Sequence, residues 1–424
     1  MTSLNLNISG LPKSATLAIN ERSRELRRKG VKIYNFGLGQ SPFPVPEPVC
    51  QALRENAHQK DYLAVEGLPE LRQAVAEYQS RKVGYPYKAD QVLVGPGSKE
   101  LMFLMQLVYY GDLVIPNPSW VSYAPQAQII GRQVRWLSTR ADNNWMLSAD
   151  TLEEHCRVDP DRPRLVIINY PSNPTGATLD EKQLRDIAEV ARKYGVVLLS
   201  DEIYGELHHD GKHQSIAQYY PEGTIISHGL SKWCGAGGWR LGTFLFPENH
   251  MKLMNGMAVA ASETFTSTST PIQYAAVKAY RENPEIEEYL TKARHILKML
   301  GQSVIASLQS AGVTVPQAEG GFYLFPDFSA FRESLLKKSV KNSKDLAEYI
   351  LDRTGIACLS GSVFGCPLKV LSLRMAYVDF DGEEALRAYD VFRVSGQSDE
   401  DFLRQVCPNV IEGAQRLADE VRSW

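Results

Sequence analysis

The stretch LVIINYPSNPTGATLDEKQLRDIAEVARKYGVVLLSDEIY, residues 165–204, decides the fold. Residues 165–168 and 196–199 are short runs of leucine and β-branched residues, apolar on both faces of the alternation. Such runs suit strands buried on both sides of a parallel sheet. Between them the spacing predicts a helix over 179–194. Leu184, Ile187, Ala188 and Ala191 form its apolar stripe, Thr178 and Glu181 have capping-box spacing, and Gly195 ends it. Strand, helix and strand at this spacing read as a right-handed βαβ unit. A third apolar run, 224–226, continues the sheet.

Outward from this unit, a helix is expected to start near Pro69, with Leu71, Val75 and Tyr78 on one face. Val410, Ala414, Leu417 and Val421 line one side of a helix near the end. Past residue 310 the pattern turns to strand-like pieces, GFYLFP and LSLRMAYV, between amphipathic helices. A length of 424 residues exceeds one small core. Two domains are therefore expected, a large one over 46–300 and a smaller one built from 1–45 and 301–424, with the boundary near residue 300. No internal repeat or low-complexity tract interrupts the pattern.

Composition narrows the function. Hydrophobic residues make up 44% and charged residues 22%, as in ordinary globular proteins, and the net charge of −3 gives no footprint for nucleic acid or an anionic membrane. Cys50, Cys156, Cys234, Cys358, Cys366 and Cys407 are scattered with no CxxC pair, which argues against a zinc site or a disulfide framework. MTSLNLNISGLPKS lacks the basic-then-apolar order of a secretory signal, and no apolar run reaches membrane-spanning length. A soluble cytoplasmic protein is expected.

Three proposed strands lead into polar groups of particular kinds. The first runs toward Asn173, the second delivers Asp201 and Tyr204, and the third leads to Ser231 and Lys232. Ligands of open parallel sheets bind beyond the carboxyl ends of the strands, so one site can collect these side chains. Their types suit pyridoxal 5'-phosphate. Lys232 would supply the imine-forming amine. Asp201 would keep the ring nitrogen protonated, and Asn173 and Tyr204 would donate to the ring oxygen. Arg240 would grip the phosphate, with the amides of Gly97, Ser98 and Lys99 at a helix start. Each residue alone has a plainer reading: a surface lysine, an N-capping aspartate, and GLG, GPG or NPTG as turns. Their order and spacing carry the argument.

The blocks FGLGQSPFPVP, YLAVEGLPELRQAVAEY, VGPGSKELM, NPSWVSY, NYPSNPTGATL, LLSDEIYGEL, GLSKWCGAGGWRLG, GGFYLFP and LSLRMAY stand in one order across nearly the whole chain. In this the sequence resembles the class I (aspartate/aromatic-type) aminotransferases of the fold-type I pyridoxal-phosphate enzymes. The resemblance implies an α/β three-layer sandwich with a mostly parallel sheet plus a smaller α+β domain. It implies Lys232 as imine lysine and proton shuttle, with Asp201 and Tyr204 beside it. Trp120 would stack on the cofactor ring, and Gly97, Ser98, Lys99, Ser231 and Arg240 would hold its phosphate. Tyr62 would reach the neighbouring subunit's phosphate in a homodimer with shared active sites. Arg374 would clamp the substrate α-carboxylate, assisted by Asn173 and the backbone at Gly39.

Two departures stand out. Many relatives carry a phosphate-binding serine three residues before the lysine, where this chain has Gly229, and residues 392–407 look like an insertion. The activity implied is ping-pong transfer of an amino group between an L-amino acid and a 2-oxo acid; a carbon–sulfur β-lyase would use the same residues. A regulatory cofactor-binding protein is disfavoured because no helix-turn-helix precedes the site, and a nicotinamide-binding domain because no full GxGxxG is present. HHDGKH, with His208, His209 and His213, reads as a solvated turn and not a metal site. The segment ASETFTSTSTP (261–271) offers no arginine for a second substrate carboxylate, which favours neutral or aromatic amino acids or broad specificity.

Overall fold

The computed structural model of the chain describes residues 3–11 and 15–424. Its centre is a seven-stranded sheet of Val92–Gly95 (β1), Asp112–Asn117 (β2), Val134–Ser138 (β3), Arg164–Asn169 (β4), Val197–Asp201 (β5), Thr224–Gly229 (β6) and Gly242–Leu245 (β7). The spatial order is β1-β7-β6-β5-β4-β2-β3, and β7 alone runs antiparallel to its neighbours. The three strands foreseen from sequence, β4, β5 and β6, are adjacent and parallel at its middle. Every residue of β5 and β6 is buried, as apolar strands covered on both faces require. The fold is therefore α/β with a mostly parallel sheet, as expected.

The helix between β4 and β5 spans Glu181–Lys193 and turns Leu184, Ile187, Ala188 and Ala191 inward. Its cap differs from the expected Thr178–Glu181 pair. Asp180 accepts from the Gln183 amide at 2.8 Å, and the Gln183 side chain accepts from the Asp180 amide at 3.0 Å. The same box spacing recurs two residues later, because the chain stays outside the helix until Leu179 has been buried. Gly195 follows with φ +59°, where a side chain would be strained.

A second, smaller sheet is antiparallel, with Leu373–Ala376 (β10) between Leu359–Ser360 (β9) and Tyr323–Leu324 (β8). The helices Pro69–Val83 and Pro408–Arg422 lie where their patterns placed them. The helix Pro284–Gln309 runs unbroken through residue 300. Residues 392–407 form a packed corner. Helix Gly382–Ser395 stops at Gly396 (φ +73°), helix Asp399–Val406 folds back, and Phe392 stacks on Phe402 at 4.4 Å. Among the described residues no helix is long and apolar enough to cross a membrane.

Candidate active site

The site grows from the carboxyl ends of β4, β5 and β6. Asn169 closes β4: its Nδ2 donates to the Asp201 carbonyl at 2.8 Å, and its Oδ1 accepts from the Asn173 amide at 2.8 Å. That bond folds the loop after β4 back over the strand end and buries Asn173. Asp201 is the last residue of β5, and β6 stops at Gly229, just before Ser231 and Lys232. Of the residues expected to meet a cofactor, Ser98, Lys99, Trp120, Asn173, Asp201, Tyr204, Ser231, Lys232 and Arg240 line one cavity of about 400 Å³. Gly97 lies behind it with φ +90°, and a Cβ there would collide with the Arg240 guanidinium. Tyr62, by contrast, is 87% exposed and is not among the cavity's lining residues.

The electrostatics of this cavity are lopsided. Lys232 Nζ donates to the Gly39 carbonyl at 2.7 Å, and Arg240 Nη1 donates to the Gly237 carbonyl at 3.0 Å. The Lys99 ammonium lies 5.1 Å from the Trp120 ring centre. Burial lowers the Lys99 pKa, and repulsion from Arg240 and Lys232 adds to the effect. None of these three cations is ion-paired among the described residues. The one acid lining the cavity, Asp201, accepts from the Tyr123 hydroxyl at 2.6 Å and the Ser227 hydroxyl at 3.2 Å. Burial pushes it up to about 6 despite those bonds. Surplus positive charge in a concave site is what an anionic ligand needs.

Arg374, in β10, reaches the same region and is buried. Nη2 donates to the Gly37 carbonyl and Nη1 to Asn173 Oδ1 at 3.4 Å, while Nε has no partner among the described residues. Its guanidinium carbon lies 4.7 Å from the Tyr323 ring centre and 5.3 Å from that of Phe364. A buried guanidinium without a carboxylate is expensive, and a ligand carboxylate would relieve it.

The model of the family described as aminotransferase class I and II matches residues 31–390. The chain belongs to the aminotransferase class I and II family.

Among curated relatives, this aminotransferase is similar to a probable aspartate/prephenate aminotransferase of Aquifex aeolicus. They are 32% identical over 372 residues, 85% of this chain and 91% of the relative. An aspartate aminotransferase of Geobacillus stearothermophilus is 32% identical over 380 residues, covering 87% of this chain and 93% of its own. Among solved structures, the aspartate aminotransferase from Thermus thermophilus with maleate superposes with a TM-score of 0.83 at 26% identity, over 99% of this chain and all of that one. Transfer of an amino group between an amino acid and a 2-oxo acid is thus the chemistry of this enzyme.

Four residues of the candidate site escaped the sequence reading. Tyr123 and Ser227 hold Asp201, Asn169 holds the Asn173 loop, and Tyr323 shares a 2.8 Å hydrogen bond with Tyr204. Tyr123 and Tyr323 lie inside the quoted blocks NPSWVSY and GGFYLFP, so a signal existed, although which partner each would meet did not. Gly229 also has a structural reason. It pairs with Gly242, and a Cβ there would come within 2.9 Å of the Leu241 carbonyl.

The HHDGKH segment corrects the expectation of a solvated turn. His209 is buried and contacts the Gly321 carbonyl at 3.1 Å, and His213 pairs with the buried Glu202 at 3.0 Å. Burial lowers His208 to about 4. Glu202 draws His213 inward, while the nearby buried Glu206 takes its partners from outside this segment. Glu206 takes Arg294 at 2.9 Å, Lys82 at 3.0 Å and the Tyr78 hydroxyl. Among the described residues no group of three or more His, Cys, Asp or Glu could hold a metal.

Proposed function

We propose that the cavity binds pyridoxal 5'-phosphate and that the chain is a ping-pong transaminase working through Lys232. One observation carries the reading: Lys99, Arg240 and Lys232 share a cavity with a single, proton-hungry carboxylate, Asp201. The residues fit the group. The phosphate dianion would take Arg240, the amides of Ser98 and Lys99 at a helix start, and the Ser98 and Ser231 hydroxyls. Gly97 leaves the room that Arg240 occupies. Asp201 would face the ring nitrogen, and the raised proton affinity of one partner is relieved by the positive charge of the other. Asn173 and Tyr204 would donate to the ring oxygen, and Trp120 would cover the ring face.

When bound, the cofactor supplies an aldehyde for the amino group and a ring that draws electrons from the substrate α-carbon. The protein does the rest. Arg374, with Asn173 beside it, binds the α-carboxylate through a guanidinium fork and so orients the Cα–H bond. Lys232 Nζ, once neutral, would take up and give back the α-proton, and the Gly39 carbonyl, which accepts its hydrogen bond, would help to hold it in place. Tyr62, exposed on its own chain, would complete the phosphate site of the partner in a homodimer. We keep the division into 46–300 and 1–45 with 301–424, the helix Pro284–Gln309 crossing between the two. All six cysteines are unpaired, which suits a reducing cytoplasm.

The test is spectroscopic. Purified protein given pyridoxal phosphate should gain visible absorption, lose it on adding an amino acid and recover it with a 2-oxo acid. Lys232→Ala should do none of these. Pyruvate and ammonia in place of a transferred amino group would point to the β-lyase reading instead. Running the first half-reaction with aspartate, aromatic and neutral donors identifies the preferred side chain.

A further inference from the structure

We infer that Tyr323 is a positioning residue, whose hydroxyl donates to the Tyr204 oxygen and so turns the Tyr204 O–H toward the cavity. The inference rests on the cofactor reading above, because it concerns the donor to the cofactor's ring oxygen. Tyr323 comes from β8 of the smaller sheet, yet its buried side chain touches three parts of the site. Its hydroxyl shares a 2.8 Å bond with Tyr204, its ring lies 4.7 Å from the Arg374 guanidinium carbon, and a Cβ on Gly39 would collide with its hydroxyl. Gly39 in turn holds Lys232.

Donor counting gives the direction of the Tyr204–Tyr323 bond. The two buried hydroxyls carry two O–H donors, and each finds only the other as partner among the described hydrogen bonds. One donor is therefore left over. If Tyr204 donated to Tyr323, the Tyr323 O–H would be left buried and unpaired against Gly39, and Tyr204 would have nothing to offer the cavity. With Tyr323 donating, both protons are used once the ring oxygen is in place. A hydroxyl that accepts one bond becomes a better donor of the next.

The charged and titratable groups around Tyr204 come from several elements: Asp201 of β5 with Tyr123 behind it, Lys232 after β6 at 5.6 Å from the ring centre, and Arg374 of β10. Tyr323→Phe leaves all of them, and the aromatic face under Arg374, in place. A donor to the ring oxygen favours its proton-poor form, so weakening that donor raises the pH midpoint of the visible band.

The experiment titrates the visible absorption of the cofactor-loaded wild type, Tyr323→Phe, Tyr204→Phe and the double variant. Tyr204→Phe should raise the midpoint by about one to two pH units. Tyr323→Phe should raise it by roughly 0.2–0.5 units. The double variant should match Tyr204→Phe alone, since Tyr323 acts only through that hydroxyl. An unshifted Tyr323→Phe, or a Tyr323 effect that persists without the Tyr204 hydroxyl, overturns the inference while sparing the cofactor reading. A wild type with no visible band overturns both.

Discussion

Asp201 and Glu206 are both buried carboxylates at the end of β5, one turn apart, and their surroundings push them in opposite directions. Asp201 accepts from the Tyr123 and Ser227 hydroxyls and the Ile203 amide, and burial pushes it up to about 6 despite them. Glu206 faces Lys82, the Tyr78 hydroxyl and Arg294 and is held down at about 2. The cations divide in the same way. Arg294 has its carboxylate, whereas Arg374, Arg240 and Lys232 have none among the described residues. One region is charge-balanced by the protein itself. The other is left unbalanced, in the pattern a charged ligand would complete.

That contrast can be broken most forcefully from the balanced side. Glu206→Ala should leave Arg294 and Lys82 uncompensated and lower stability by about 3–4 kcal/mol in urea unfolding. Its visible absorption with cofactor should stay intact; loss of the band with stability retained would reverse the assignment of the two regions. On the unbalanced side, Arg374→Ala should lower kcat/KM for the amino acid roughly 10²–10³-fold with little loss of stability. A fall in stability matching that of Glu206→Ala would show Arg374 to be structural.

The two carboxylates also predict opposite pH slopes for the cofactor-free protein. The folded pKa of Asp201 lies above its ordinary 3.8, so its charged form disfavours folding. Stability should fall as pH rises from about 4 to 6, by at most roughly 3 kcal/mol. The folded pKa of Glu206 lies below 4.5, so its contribution is present above that pH and is lost as pH falls toward about 2. Asp201→Asn should flatten the first slope and leave the second, in unfolding measured across that range. The smallest effect belongs to Gly229→Ser. The backbone contact at 2.9 Å predicts a loss of about 1–2 kcal/mol and no gain in cofactor affinity.

What could be read from the residues alone was whatever repeats locally. Runs of apolar residues placed β4, β5 and β6, and the 3.6-residue stripe placed the helix between them. The antiparallel strand β7 was not foreseen, because Gly242–Leu245 opens on a glycine and a threonine and offers no apolar run like those that marked β4 and β5. Asp201, Lys232, Asn173 and Arg240 were legible as types in an order. Their supports were not, since Tyr123 and Tyr323 reach Asp201 and Tyr204 across 78 and 119 residues of sequence. HHDGKH misled for a related reason. Its composition is that of an exposed turn, while the carboxylate that draws His213 inward, Glu202, lies eleven residues earlier, just past the end of β5.

The most direct check of the site is chemical. The protein is loaded with pyridoxal phosphate, reduced with borohydride, digested and mapped by mass spectrometry. A single peptide carrying the reduced cofactor on Lys232 is the predicted result. Cofactor attached to Lys99 or spread over surface lysines, with Lys232 unlabelled, would contradict it.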